Sequence, residues 1–211
     1  MRTETTENYR RAAMRLADIA RDGGARAALL TSPSRGQGTT TTVLNLARQL
    51  HECFGLKTLV VELNRATPSL ARRFKLDPAK SIEAIARGKL SVGEAIQEGA
   101  AGIGMIVAGT QGNAGEHAVS QGALQMILDD AADDFGFMLV DAPPILSHAD
   151  ALLASKVVPT LILVVQAGRS SWEALDRIRR DLESRDVAIF ASILNKHKRF
   201  IPGWIYRSIA R

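Results

Sequence analysis

A single cysteine, Cys53, stands among 211 residues, so no internal disulfide can form. Its helix-like surroundings predict a buried structural thiol rather than a reactive one. Aromatic residues make up only 5% of the chain, so the core must be aliphatic. No apolar run is long: Pro159 to Val165, the longest, is far too short to cross a bilayer. The opening stretch carries Arg2, Glu4, Glu7 and Arg10 and lacks the apolar centre of an export signal. The histidines His51, His117, His148 and His197 have no metal-ligand spacing. Internal repeats and low-complexity tracts are also missing. These absences argue against disulfide-stapled, membrane-spanning and histidine-metal classes, and they predict a cytoplasmic protein.

What remains is ordinary for one buried core. Apolar content is 46% and charged content 23%, and 211 residues suit a single domain over 1–211. The net charge of +5 is local. Five of the 27 basic residues (Lys196, Lys198, Arg199, Arg207 and Arg211) lie in the stretch 196–211, which has no acid. The remaining 22 match the 22 acids. A neutral body with a basic end predicts a local partner, not a nucleic-acid-coating surface. In that tail Phe200, Ile201, Pro202, Trp204, Ile205, Tyr206 and Ile209 alternate with the cations. The mixture suits an acidic groove on a partner, a peripheral membrane contact, or folding back onto the domain.

Short apolar runs alternate with helical patterns. Strands are expected at Ala27–Leu30, Thr58–Glu62, Ile103–Ala108, Phe137–Asp141, Thr160–Val165 and Val187–Leu194. Several are continuous aliphatic runs, as in parallel strands covered on both faces. Helical stripes run through Val43, Leu46, Ala47 and Leu50, through Leu124, Ile127, Leu128 and Ala131, and through Trp172, Leu175, Ile178 and Leu182. Ser81 to Glu98 reads as two short helices split by Gly88-Lys89-Leu90-Ser91, and 109–117 as a loop. Residues 1–22 read as a separate helix with Arg10, Arg11 and Arg15 on its polar side. The alternation predicts an α/β fold with a doubly wound, mostly parallel sheet and helices on both faces.

The segment Thr31-Ser32-Pro33-Ser34-Arg35-Gly36-Gln37-Gly38-Thr39-Thr40-Thr41-Thr42 lies between the first strand and the Val43 helix. Strand, glycine-rich loop and helix form the context of a phosphate-binding P-loop, where helix-terminal amides wrap the phosphates. Gly36 and Gly38 give the backbone its freedom, and the Thr40 hydroxyl stands where Mg²⁺ is normally held. Ser34, Arg35, Gly36, Gln37, Gly38, Thr39, Thr40 and Thr41 are the candidate nucleotide residues, with Asn195 from the last strand. One part is missing: the lysine expected after the second glycine is Thr39.

Two apolar strands end in acids. Phe137-Met138-Leu139-Val140 ends in Asp141 before Ala142-Pro143-Pro144, and Leu59-Val60-Val61 ends in Glu62-Leu63-Asn64. Acids at the carboxyl ends of central strands face the ligand crevice of open α/β sheets. Asp141 is a candidate to hold Mg²⁺ through water. For both acids the alternative is a strand-end residue capping the next helix.

Loop, Glu62-Leu63-Asn64…Pro68-Ser69-Leu70 segment and Asp141-Ala142-Pro143-Pro144 strand end together resemble the three Walker elements of bacterial tyrosine kinases (BY-kinases). Those are cytoplasmic kinases of the polysaccharide co-polymerases that serve capsule and exopolysaccharide export. Thr31-Ser32, Glu7-Asn8-Tyr9-Arg10, Ala108-Gly109-Thr110, Asp150-Ala151-Leu152-Leu153 and Ile193-Leu194-Asn195 extend the likeness over nearly the whole chain. The resemblance implies a P-loop NTPase fold of the deviant-Walker type, ATP or ADP with Mg²⁺, a transmembrane co-polymerase as partner, a homo-oligomer, and a place at the inner membrane. It also assigns catalysis to Glu62, Asn64 and Asp141.

The departures all weaken that chemistry. Family members have lysine at the place of Thr39, Asp-x-Asp at the place of Glu62-Leu63-Asn64, and a C-terminal tyrosine cluster where this chain has only Tyr206. The ring-assembly motif Glu-x-x-Arg-x-x-Arg ends here in Ala13. A lost lysine–phosphate bond, about 1.5–3 kcal/mol, weakens nucleotide binding roughly ten- to a hundredfold. Transfer suffers more, because the transition-state charge needs that cation. Arg35 is one candidate replacement. The expectation is a kinase-like regulator or scaffold with little or no tyrosine kinase activity, a pseudokinase. The alternatives are an active autokinase or ATPase with an atypical loop, and a partitioning-type ATPase. Ser34 stands where partitioning ATPases need an extra lysine.

Overall fold

The computed structural model describes residues 2–109 and 121–196, with side chains from Thr6 onward. The tail from 197, with Tyr206 and its aromatic neighbours, lies outside the described residues, as do 110–117 of the expected loop, His117 and His197. Elements run in the order α1 (Arg2–Arg21), β1 (Ala27–Thr31), α2 (Thr39–Phe54), β2 (Thr58–Glu62), α3 (Leu70–Phe74), α4 (Ile82–Ala86), α5 (Val92–Ala95), β3 (Gln97–Glu98), β4 (Gly104–Ile106), α6 (Gln121–Asp130), β5 (Phe137–Asp141), α7 (Ala149–Ala154), β6 (Leu161–Gln166), α8 (Trp172–Glu183) and β7 (Ile189–Asn195).

The seven strands form one sheet in the order β3-β4-β2-β5-β1-β6-β7. All neighbours are parallel except β3, which pairs antiparallel with β4. The period-two alternation of the aliphatic strands feeds two cores, one on each face. Leu30, Val60, Leu139 and Val164 pack with Leu16 of α1 and Val43, Leu46 and Leu50 of α2. Leu29, Val61, Val140 and Leu163 pack on the opposite side with Ile82, Leu124, Ile127, Ile178 and Leu182. Helices therefore cover both faces, as the sequence pattern predicts. Each fully buried leucine contributes about 1.5–3 kcal/mol over an exposed one, so the two faces hold the sheet ends in fixed register.

Several sequence expectations need correction. The strand expected over Ile103–Ala108 shrinks to Gly104–Ile106, with Val107 reaching Ser81 only as an isolated bridge. The expected last strand begins two residues later, at Ile189, because Val187 still closes the turn after α8 with its N–H on the Leu182 carbonyl at 3.0 Å. Cys53 is exposed, not buried. The buried stripe of α2 runs through Val43, Leu46, Ala47 and Leu50, and one turn later Cys53 points off that stripe. Trp172 is 77% exposed although it continues the spacing of the buried Ile178 and Leu182. It is the first residue of α8, and packing against the core begins only at Leu175. Ala13, the position that departs from the ring-assembly motif, is fully buried in the α1–α2 core, where an arginine would not fit.

Candidate functional site

The site gathers at the carboxyl ends of β1, β2, β5, β6 and β7. β1 delivers the loop and α2 follows it at Thr39. Gly36 has φ 80 and Gly38, the N-cap of α2, has φ 95, both in the left-handed region that favours glycine. At Gly38 space is also short: an added Cβ would collide with the Asn195 side-chain amide. Thr42 locks the first turn by donating its hydroxyl to the Gly38 carbonyl at 3.0 Å. No side chain caps this helix, so its terminal amides remain for an anion.

The loop is braced from behind by Gln37, which is 1% exposed. Its Nε2 donates to Ser34 Oγ at 2.8 Å and to Ser170 Oγ at 3.0 Å, and its Oε1 accepts the Gln166 N–H at 2.8 Å. The Gln37 side chain, a candidate nucleotide contact, is therefore turned into the protein. Asn195 has a similar role. Its Nδ2 donates to the Gln37 carbonyl at 2.9 Å, and its Oδ1 accepts the Lys196 N–H at 2.8 Å. The amide fastens β7 to the loop. Ser34, Arg35, Gly36 and Thr41 are exposed, and Thr39 and Thr40 half-buried.

Thr40 and Asp141 come together as the sequence predicts. The Thr40 hydroxyl donates to Asp141 Oδ2 at 2.6 Å. Asp141 is 1% exposed, and its Oδ1 is buried without a hydrogen-bond partner. Burial pushes its pKa up to about 7. The Thr40 hydrogen bond opposes the shift, and the neighbouring Glu62 charge adds to it. An orphaned oxygen beside a hydroxyl fits a hydrated Mg²⁺, which carries its own waters and takes one or two protein oxygens plus phosphates. No group of three or more His, Cys, Asp or Glu side chains among the described residues could hold a metal by itself. The arrangement thus fits a cation that arrives with a phosphate ligand.

Glu62 is adjacent, in register with Asp141 across β2 and β5, yet it is differently engaged. Its Oε1 accepts the Ser69 N–H at 2.7 Å, the Ser69 hydroxyl at 3.2 Å and the Leu70 N–H at 3.2 Å. Its Oε2 accepts the Ala108 N–H at 3.3 Å. The carboxylate ties the start of α3 to the residue after Val107. Burial raises its pKa and these backbone bonds pull it back. Asn64 accepts from Thr67, N–H and hydroxyl both at 3.3 Å, which closes its own turn. The structure thus brings Thr40, Asp141 and the loop together, and holds Glu62 and Asn64 on backbone and turn groups.

Sequence reasoning missed Arg169 and the loop contact of Lys196. Arg169 lies in the turn after β6, with a terminal guanidinium nitrogen 3.3 Å from where a Cβ on Gly36 would be. Lys196 donates to the Gly36 carbonyl at 2.6 Å. The signal for Arg169 was Gly168-Arg169-Ser170-Ser171 directly after an apolar strand, at the same sheet end as the loop.

No family profile matches the chain. In sequence it is 26% identical over 169 residues to the tyrosine-protein kinase CpsD of Streptococcus agalactiae serotype III (strain NEM316), covering 79% of this chain and 72% of that protein. It is 22% identical over 194 residues to the tyrosine-protein kinase YwqD of Bacillus subtilis (strain 168), covering 92% and 81%. Among solved structures the chimerical protein CapA2B2 superposes with a TM-score of 0.78 at 20% identity, covering 92% of this chain and 85% of that one. The kinase domain of the Escherichia coli tyrosine kinase ETK gives 0.75 at 23% identity, covering 84% and 70%. A cobyrinic acid a,c-diamide synthase from Mycobacterium smegmatis, with bound ADP and magnesium, shares the fold at a TM-score of 0.64, 20% identity, and 80% and 71% coverage. The chain's relatives are bacterial tyrosine-protein kinases, and its fold is that of the P-loop nucleotide-binding proteins.

Proposed function

We propose that this relative of the bacterial tyrosine kinases is a kinase-like regulator or scaffold of exopolysaccharide or capsule synthesis and export, with little or no tyrosine kinase activity of its own. The observation that carries the reading is a complete loop–Thr40–Asp141 geometry with a threonine at position 39. The loop, Thr40 and Asp141 are assembled as phosphate and Mg²⁺ would need them, while the cation at position 39 that serves both binding and transfer is missing. ATP or ADP would lie with its phosphates on the amides of 36–40, and Thr40 and Asp141 would hold Mg²⁺, which offsets phosphate charge. Glu62 makes four hydrogen bonds to main chain and Ser69, and Asn64 has no carboxylate, so neither is set up to accept a proton from a tyrosine. Among the described residues the only tyrosine is Tyr9, half-buried in α1.

The partner of this reading is a transmembrane co-polymerase, engaged from the cytoplasmic side of the inner membrane by the basic–aromatic stretch 196–211. No helix of the described residues is long and apolar enough to cross a membrane. The full-length chain is incubated with γ-labelled ATP and Mg²⁺. The expected result is nucleotide binding without phosphotyrosine. Strong labelling of Tyr206 or Tyr9 that disappears in Asp141→Ala would replace this reading with that of an active autokinase. The cations beside Gly36 favour this second reading, since they could partly replace the lost lysine.

A further inference from the structure

The tip of the loop meets two cations that the motif itself does not supply. Lys196 approaches Gly36 from the end of β7: its Nζ donates to the Gly36 carbonyl at 2.6 Å and to Gln166 Oε1 at 3.4 Å. An ammonium has three N–H donors, so one remains for another acceptor. Arg169 approaches the same residue from the turn after β6, where its guanidinium would be 3.3 Å from a Cβ on Gly36. Both residues are held by their own backbone. The Arg169 N–H binds the Gln166 carbonyl at 3.2 Å, and the Lys196 N–H binds Asn195 Oδ1 at 2.8 Å. Lys196 also has φ 53, in the left-handed region that few non-glycine residues occupy. Neither residue takes part in the salt bridges of the described residues. Two positive groups converge on one glycine whose neighbouring amides already favour an anion, and among the described residues no acid forms an ion pair with either.

We propose that Arg169 and Lys196 supply in cis the positive charge that Thr39 lacks, so that the tip of the loop binds the di- or triphosphate of a nucleotide between them. This inference rests on the nucleotide reading above and adds which residues carry the phosphate charge. Arg35, the loop's own arginine, is not required by it. Glycine at 36 follows from its φ of 80, and it brings the guanidinium close to the loop backbone.

The test is calorimetry on the full-length chain with three probes: ADP-Mg²⁺, pyrophosphate-Mg²⁺ and adenosine. Arg169→Gln and Lys196→Met are each expected to weaken ADP and pyrophosphate about tenfold, and the double variant about a hundredfold. Adenosine binding stays unchanged. Lys196→Arg keeps most of the affinity, which separates charge from packing. Thr39→Lys in the double variant restores binding. Thermal melts confirm that every variant is folded. If the wild type binds ADP and both neutral variants bind it equally well, this inference falls and the nucleotide reading stands. If the wild type binds neither ADP nor pyrophosphate, both fall.

Discussion

The carboxyl ends of β2 and β5 lie side by side and each ends in a buried acid, yet the two acids have opposite surroundings. Glu62 accepts three backbone N–H groups and one hydroxyl, and it holds α3 and residue 108 to the sheet. Asp141 accepts a single hydroxyl and leaves one oxygen without a partner. Hydrogen bonds from neutral donors stabilise a buried charge, and an orphaned oxygen leaves it uncompensated. One acid is part of the framework, while the other keeps an oxygen that the surrounding protein does not engage. An added methylene explains how this can happen: glutamate at 62 reaches the α3 amides while its backbone stays in register with Asp141.

Removing the framework acid should have the largest effect. Glu62→Ala leaves three backbone donors without their acceptor in a buried setting, at about 1–3 kcal/mol each, so a loss of roughly 3 kcal/mol or more is expected in denaturant melts. Glu62→Gln should recover part of it, since the amide oxygen can still accept. A fully stable Glu62→Ala protein would erase the contrast between the two ends.

Asp141 should respond in the opposite direction. Its folded pKa of about 7 lies above the ordinary 3.8, so the folded state holds a proton that the unfolded chain has released between those values. Stability from this group therefore falls as pH rises from about 4 through about 7. Asp141→Asn removes that loss. Thermal melts should show the variant gaining on the wild type as pH rises from about 4 to about 7, with the smallest difference at the acid end. The same variant should lose the Mg²⁺ dependence of ADP binding. A parallel pH profile for the two proteins would mean that the burial of Asp141 costs nothing.

Thr39→Lys in the wild-type background sharpens the contrast from the loop side. Where Arg169 and Lys196 already supply charge, the gain in ADP affinity should be at most about tenfold by calorimetry, the low end of a charge-assisted bond. A hundredfold gain would show that position 39 had been the dominant vacancy. The smallest effect is expected far from the acids. Cys53→Ser should leave the unfolding free energy within about 0.5 kcal/mol of wild type in denaturant melts, and the native thiol should react with a thiol reagent without unfolding, because it is exposed.

Aliphatic runs made the fold legible: the continuous stretches at β2 and β5 are buried throughout and that at β1 in all but its first residue, as parallel strands covered on both faces must be. The glycine loop, Thr40 and Asp141 were legible because phosphate and metal chemistry restricts residue type at fixed spacing. Gln97–Glu98 was not, since a two-residue antiparallel edge has no period to detect. Helical spacing also misplaced Cys53 and Trp172, because periodicity gives a face but not where the neighbouring layer ends. Arg169 and Lys196 escaped for a different reason. They lie 133 and 160 residues from Gly36; strand order puts their turns at the loop's end of the sheet, but only the fold brings both side chains to this one glycine.

Gln37 links the loop to the turn after β6 through Ser170 and the Gln166 amide. Its carboxamide has donors and acceptor engaged at once with groups on separate elements, so it cannot rotate by degrees. The curvature of the tip and the turn carrying Arg169 are thereby fastened to one another through a single side chain, so a substitution at 37 should loosen both together.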